Sequence, residues 1–157
     1  MKFEIYLSKA NFLSTPEVQK IYEIYENAFL ASAYPISGKW NLDHFLTATN
    51  RESYVLASSS NAIVGFIYYT RLSDEDLEIW NLSIEPEFWG KGLADKMLEF
   101  LQVEAGESYQ QILLEVHEKN AVAIKLYERN NWKITHRRKN YYQDKADAVL
   151  MTFLRGI

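Results

Sequence analysis

"SIEPEFWGKGLADKMLEFL" (Ser83 to Leu101) holds two of the chain's six glycines, Gly90 and Gly92, with Lys91 between them. A strand pattern, LEIWNLSIEP, runs into this stretch and is ended by Pro86. A helical pattern, LADKMLEFLQVEA, runs out of it with Leu93, Met97, Leu98 and Leu101 as an apolar stripe. The first amides of a helix have no internal partners, and the helix dipole adds partial positive charge there, so the junction suits an anion such as a pyrophosphate. Glycine permits positive φ and close approach of the backbone, and Lys91 places a cation at the rim. Two familiar phosphate motifs are excluded. GxGxxG would need a glycine where Asp95 stands, and a P-loop would need Lys then Ser or Thr where Leu93 follows Gly92. By itself the remaining GxGxA also fits a plain tight turn before a helix.

Working outward, KFEIYL reads as a first strand, and TPEVQKIYEIYENAFL as a helix with Thr15 as cap and Pro16 at its first position. Val18, Ile21, Tyr25 and Ala28 give that helix its apolar face. NLDHFLTAT is a short second helix capped by Asn41. SYVLAS and AIVGFIYYTRL form a hairpin across SSNA. QQILLEVH is apolar on both faces, as a central strand must be. NAVAIKLYERN is a helix capped by Asn120, and WKITHRRK and DAVLMTFL are the last strands. The order β, α, α, β, β, β, α, β, α, β, β predicts one α/β domain over residues 1–157, a mixed sheet with helices on both faces.

Composition narrows the function. The chain of 157 residues is 48% hydrophobic and 15% aromatic, which argues for a packed globule. It has no cysteine, which removes disulfides, thiol catalysis and zinc-thiolate sites, and no metal centre is expected. The net charge of −4 argues against direct nucleic-acid binding and is compatible with a basic substrate. No apolar run approaches the roughly 20 residues of a membrane span, and no export signal is evident, so no membrane partner and a cytoplasmic location are expected.

GKGLA (Gly90 to Ala94) is followed by LLEVHEKNAVAIKLYERNNW (Leu113 to Trp132). Together these segments resemble the two signatures of the GCN5-related N-acetyltransferases, the GNAT superfamily. The first is a Gln/Arg-x-x-Gly-x-Gly/Ala loop, matched over Trp89 to Ala94. The second is matched by Leu114, Val116, Asn120, Ala123, Leu126 and Tyr127. The resemblance spans about residues 17 to 154 and is strongest from 79 to 151. LEVHEKN, LYE, RRKNYY and DAVLM are most similar to the RimI-type enzymes, which acetylate the N-terminal alanine of a ribosomal protein.

The resemblance implies the GNAT acyl-CoA N-acyltransferase fold and acetyl-CoA as donor, with coenzyme A released. It implies an acceptor protein N-terminus or a small amine as partner, and a monomer or homodimer. Amides of Gly90, Lys91, Gly92, Leu93, Ala94 and Asp95 would cradle the pyrophosphate. Leu82, Ser83 and Ile84 would pair through their backbone with the pantetheine arm, one N–H there facing the developing oxyanion. Asn120 would touch the same arm, cap its helix, or do both.

Glu115 is the expected general base. It shares a strand face with Leu113 and His117, and desolvation in an apolar strand would raise its pKa. The alternatives are a solvated strand-end carboxylate at Glu115, or His117 as the base. Tyr127, in the LY pair, would be the general acid, its ordinary pKa of about 10 keeping the proton available; a core aromatic is the alternative. Tyr141 and Tyr142 would line the acceptor groove.

Two positions depart from the family pattern. Trp89 replaces Gln/Arg at the loop entrance, and since the cradle is mostly backbone, cofactor binding should survive with altered rim contacts. Asn131-Trp132 replaces Gly-Phe after the LY helix, where asparagine can take the left-handed conformation and Trp132 the aromatic slot. Three functions fit: a protein N-terminal alanine acetyltransferase, a GNAT enzyme for a small amine, lysine or antibiotic, and a non-catalytic acyl-CoA-binding module.

Overall fold

A computed structural model describes residues 2–32, 40–49, 51–104 and 109–156. Residues 33–39 and Ala105, the last residue of the helical stretch LADKMLEFLQVEA, lie outside them. Strand β1 (Glu4–Lys9) is followed by helix α1 (Thr15–Ala31), helix α2 (Leu42–Leu46), β2 (Glu52–Ser59), β3 (Ala62–Arg71) and β4 (Asp76–Ile84). Then come α3 (Leu93–Glu104), β5 (Gln111–His117), α4 (Ala121–Arg129), β6 (Lys133–Arg138) and β7 (Ala148–Leu154). Single 3-10 turns at Ala10–Phe12 and Pro86–Phe88 complete the path.

The start of α1 differs by one residue from the expectation. Ser14, not Thr15, is the cap. Its hydroxyl accepts the Glu17 N–H at 3.3 Å while the Glu17 carboxylate accepts the Ser14 N–H at 3.0 Å. That reciprocal pair satisfies two helix-end donors, which a cap at Thr15 would leave open. Asn41 caps α2 as expected, accepting the His44 N–H at 3.1 Å. The β2–β3 turn places Ser60 and Asn61 at φ 51° and 64°, the left-handed pair that a two-residue hairpin loop requires.

Among the described residues the strands form one mixed sheet in the order β1-β2-β3-β4-β5-β7-β6. Only β4 and β5 run parallel, and α3 makes the crossover between them. On one face α3 seats Leu93, Met97, Leu98 and Leu101 against Leu114, Val116, Val149 and Met151. On the other, Ile21, Ile24 and Phe45 of α1 and α2 pack on Tyr54, Leu56, Phe66 and Tyr68. No described helix is long and apolar enough to cross a membrane.

Two features of β4 shape the site. Tyr68 pairs with Asn81 but Tyr69 with Ile79, so Trp80 is an extra residue, a bulge that bends the strand. The pairing of β4 with β5 covers only Asp76 to Glu78, opposite Gln111 to Leu113. Beyond Glu78 the two strands part.

Candidate active site

A cavity of about 600 Å³ opens where β4 and β5 separate. Glu78, Ile79 and Trp80 line it from β4 and Glu115 from β5, with Tyr141 and Tyr142 from the β6–β7 connection. Trp40 and His44 close the α2 side. The structure brings Glu115, Tyr141 and Tyr142 together around one cavity. It adds Glu78, Trp80, Trp40 and His44, which the sequence reading passed over. Glu78 carried a signal: it is a carboxylate set in the apolar strand LEIWNL, the same pattern that singled out Glu115.

Glu115 sits in mixed surroundings. Its side chain is 31% exposed and lies 3.4 Å from the Arg138 guanidinium, so it is neither wholly apolar-bound nor merely solvated. Burial pushes the Glu78 carboxyl above its ordinary value, with the charge of Glu115 adding to the shift. Glu78 accepts the Trp80 indole N–H at 2.5 Å and makes no ion pair among the described residues.

His117 is buried and fully engaged. Its Nδ1 accepts the Lys119 N–H at 3.1 Å, and Nε2 lies 2.8 Å from Asp144. That network assigns the proton to Nε2 and leaves no lone pair facing the cavity. The imidazole instead stacks on Tyr142, with centroids 4.9 Å apart. His117 therefore props the groove wall, and the alternative of His117 as base lacks geometric support. Burial raises the Tyr142 phenol to about 12, so it remains a neutral donor near neutral pH.

Tyr127 lies on the other face of the sheet, in the core with Leu114, Val116 and Trp132. Burial pushes its phenol well above the usual tyrosine value. The end of α4 fixes it. Asn131 adopts φ 72°, the Trp132 N–H donates to the Tyr127 carbonyl at 3.0 Å, and the Asn131 N–H donates to Glu128 at 3.1 Å. With the Trp132 ring 5.5 Å from that of Tyr127, this is a complete left-handed helix stop with its apolar contact. Asn131 and Trp132 thus fill the roles assigned to them.

The glycine loop and the free edge of β4 adjoin this gap. Gly90 and Gly92 have φ of 75° and 74°, and a Cβ at either would meet no atom within 4 Å. Their need is conformational rather than steric, and alternating left-handed glycines before a helix form an anion-binding concavity. Asp95, in the first turn of α3, would repel an anion, but Arg129 binds its carboxylate at 2.7 and 2.9 Å and Asn130 at 2.9 Å. Its charge is drawn toward α4 and neutralised. Asn120 spends its side-chain oxygen on the Ala123 N–H at 3.1 Å, the capping role.

The β3–β4 ladder decides which backbone groups are on offer. The Glu85 N–H donates to Val64 at 2.9 Å, and the register holds from Ile84 opposite Gly65 to Asn81 opposite Tyr68. Hydrogen-bonded pairs alternate along such a ladder, so Ser83 turns its N–H and C=O toward β3. Leu82 and Ile84 turn theirs toward the gap left by β5. Of the expected trio, these two can pair with a strand-like ligand and Ser83 cannot. These residues fit a donor with a diphosphate and an amide-bearing arm.

The sequence profile of the Acetyltransferase (GNAT) family matches residues 18–132. The chain is 26% identical over 149 residues to a [ribosomal protein bS18]-alanine N-acetyltransferase of Salmonella typhimurium, covering 92% of this chain and 96% of that one. The crystal structure of the ribosomal-protein-S18-alanine N-acetyltransferase from Escherichia coli superposes with a TM-score of 0.80 at 24% identity, covering 98% of this chain and 96% of that one. A GNAT family acetyltransferase from Elizabethkingia anophelis with acetyl-CoA bound gives a TM-score of 0.72 at 21% identity, covering 97% of each chain.

Proposed function

This chain belongs to the Acetyltransferase (GNAT) family, and from that premise we propose that it acetylates the N-terminal alanine of a ribosomal protein. Acetyl-CoA is the donor and supplies an activated thioester. The named Salmonella and Escherichia relatives, matched over nearly their whole length, support this acceptor class. The observation that carries the chemistry is Glu115, a carboxylate aimed into the cavity at the point where β4 and β5 separate.

Glu115 takes the proton of the incoming ammonium, and the Arg138 guanidinium lies 3.4 Å from its carboxylate. The Leu82 N–H, turned into the gap, faces the carbonyl oxygen as charge develops. Tyr127, held from the opposite face of the sheet by Trp132 and the α4 stop, gives its proton to the departing thiolate. Gly90 to Asp95 hold the diphosphate with their amides. Tyr141 and Tyr142 bound the acceptor groove.

Turnover of acetyl-CoA against an alanine-initiated ribosomal peptide tests the proposal. Glu115→Gln should lower kcat by about 10²–10⁴ and Tyr127→Phe by a similar factor, with the fold and coenzyme A affinity retained. Unchanged turnover in both variants would overturn the assignments. A second reading, a small cationic amine as acceptor, draws on Glu78, a carboxylate beyond the one proton transfer needs. Faster acetylation of diamines than of the peptide would favour it.

A further inference from the structure

Trp89 is 46% exposed, yet its indole N–H is committed: it donates to the Ile84 carbonyl at 2.7 Å. The Pro86–Phe88 turn folds the chain back to permit this, with the Phe88 N–H on Glu85 at 2.9 Å and the Trp89 N–H on Pro86 at 3.1 Å. Ile84 is the last residue of β4, and its carbonyl is one of the four backbone groups that Leu82 and Ile84 turn toward the gap. The indole therefore caps one end of the free edge and leaves the Leu82 N–H and C=O and the Ile84 N–H. Gly90 follows directly, so the exposed ring stands at the corner between strand edge and anion loop.

We infer that Trp89 is a positioning residue for the acyl donor, acting as a register stop. A pantetheine arm carries two amides and can add to a strand edge as a short strand does. On a uniform edge such a ligand can slip by two residues, since alternate positions offer the same groups. With the Ile84 carbonyl capped, the arm has one register, set by Leu82 and the Ile84 N–H. The thioester is then held level with Leu82, and the ring wall turns the chain toward the Gly90–Gly92 loop. This inference rests on the reading that the edge receives acetyl-CoA.

Coenzyme A titrations by calorimetry and by tryptophan fluorescence test it, together with kcat and KM for acetyl-CoA. Trp89→Phe keeps a ring but loses the N–H; Trp89→Gln keeps a donor but loses the ring. The fluorescence change on binding should be larger in the wild type than in Trp89→Phe, which keeps Trp40 and Trp80 at the cavity. Trp89→Phe should lose kcat by about three- to tenfold with a smaller change in KM, because a slipped arm binds but presents the thioester out of place. Trp89→Gln should recover kcat while binding coenzyme A more weakly. If Trp89→Phe matches the wild type in kcat, or binds more tightly, the indole only covers the edge and the register role is overturned. If the wild-type protein itself binds no coenzyme A, the acetyl-donor reading fails, and the role of Trp89 with it.

Discussion

Glu78 lies level with Leu113 in the parallel pairing of β4 and β5, one side-chain period before Glu115, and both carboxylates face the same cavity. They are not equivalent. Glu115 has Arg138 beside it, whereas Glu78 has the neutral Trp80 indole. Under the function proposed above, Glu115 would take the proton and Glu78 would attract a cationic acceptor.

Glu78→Gln should therefore raise the acceptor KM by about three- to tenfold and leave kcat within about twofold, measured with a saturating donor. It should also alter stability in a defined direction. The folded-state pKa of Glu78 is raised above 4.5, so its contribution is fully favourable below that value and is lost as pH rises through the folded value. The glutamine variant should melt higher than the wild type at neutral pH, and the gain should vanish in acid.

Gly90→Ala and Gly92→Ala should each cost about 1–2 kcal/mol in backbone strain, because alanine disfavours the left-handed region, not because space is short. Donor binding should weaken in both. Asparagine, which tolerates that region, should be milder at either position. Equal affinity of the alanine and asparagine variants for coenzyme A, by calorimetry, would refute the conformational account.

Asp95 has a lowered pKa, chiefly through its hydrogen bonds from Arg129. Its contribution is present above its ordinary value of 3.8 and is lost as pH falls through the depressed folded value. Asp95→Asn should unfold at lower urea than the wild type near neutrality, with the gap closing in strong acid. Its KM for acetyl-CoA should shift by no more than about fivefold, since the pair is partly exposed.

His117→Gln distinguishes a groove prop from a base. The pH dependence of kcat should keep its shape, and the acceptor KM should rise by about three- to tenfold as Tyr142 loses its stacking partner. A collapse of kcat with loss of the acid limb would return His117 to the chemistry.

Element order was legible because each element carries a local signature. Leu93, Met97, Leu98 and Leu101 repeat at helical spacing, Asn120 caps α4, and Pro86 ends β4. The cap of α1 lies one residue before the expected Thr15, and Ser14 and Thr15 are both cap formers. The reciprocal bond to Glu17, three residues after Ser14, decides between them. Glu115, Tyr141 and Tyr142 were reachable through motif resemblance, and they share the cavity.

Local sequence determined the strands, helices and glycine turn, since these depend on side-chain period and backbone preference within a few residues. Tertiary structure alone decided what faces what. The three-residue limit of β4–β5 pairing and the bulge at Trp80 open the cavity, and no local pattern encodes where two strands distant in sequence part. Hydrogen-bond alternation, set by register with β3, gave Leu82 and Ile84 to the gap and Ser83 to the sheet. Which carboxylate is paired and which is left to burial likewise depended on Arg138, a neighbour brought by β6 across the fold. Long-range pairing is a property of the whole chain's packing, and a linear reading has no access to it.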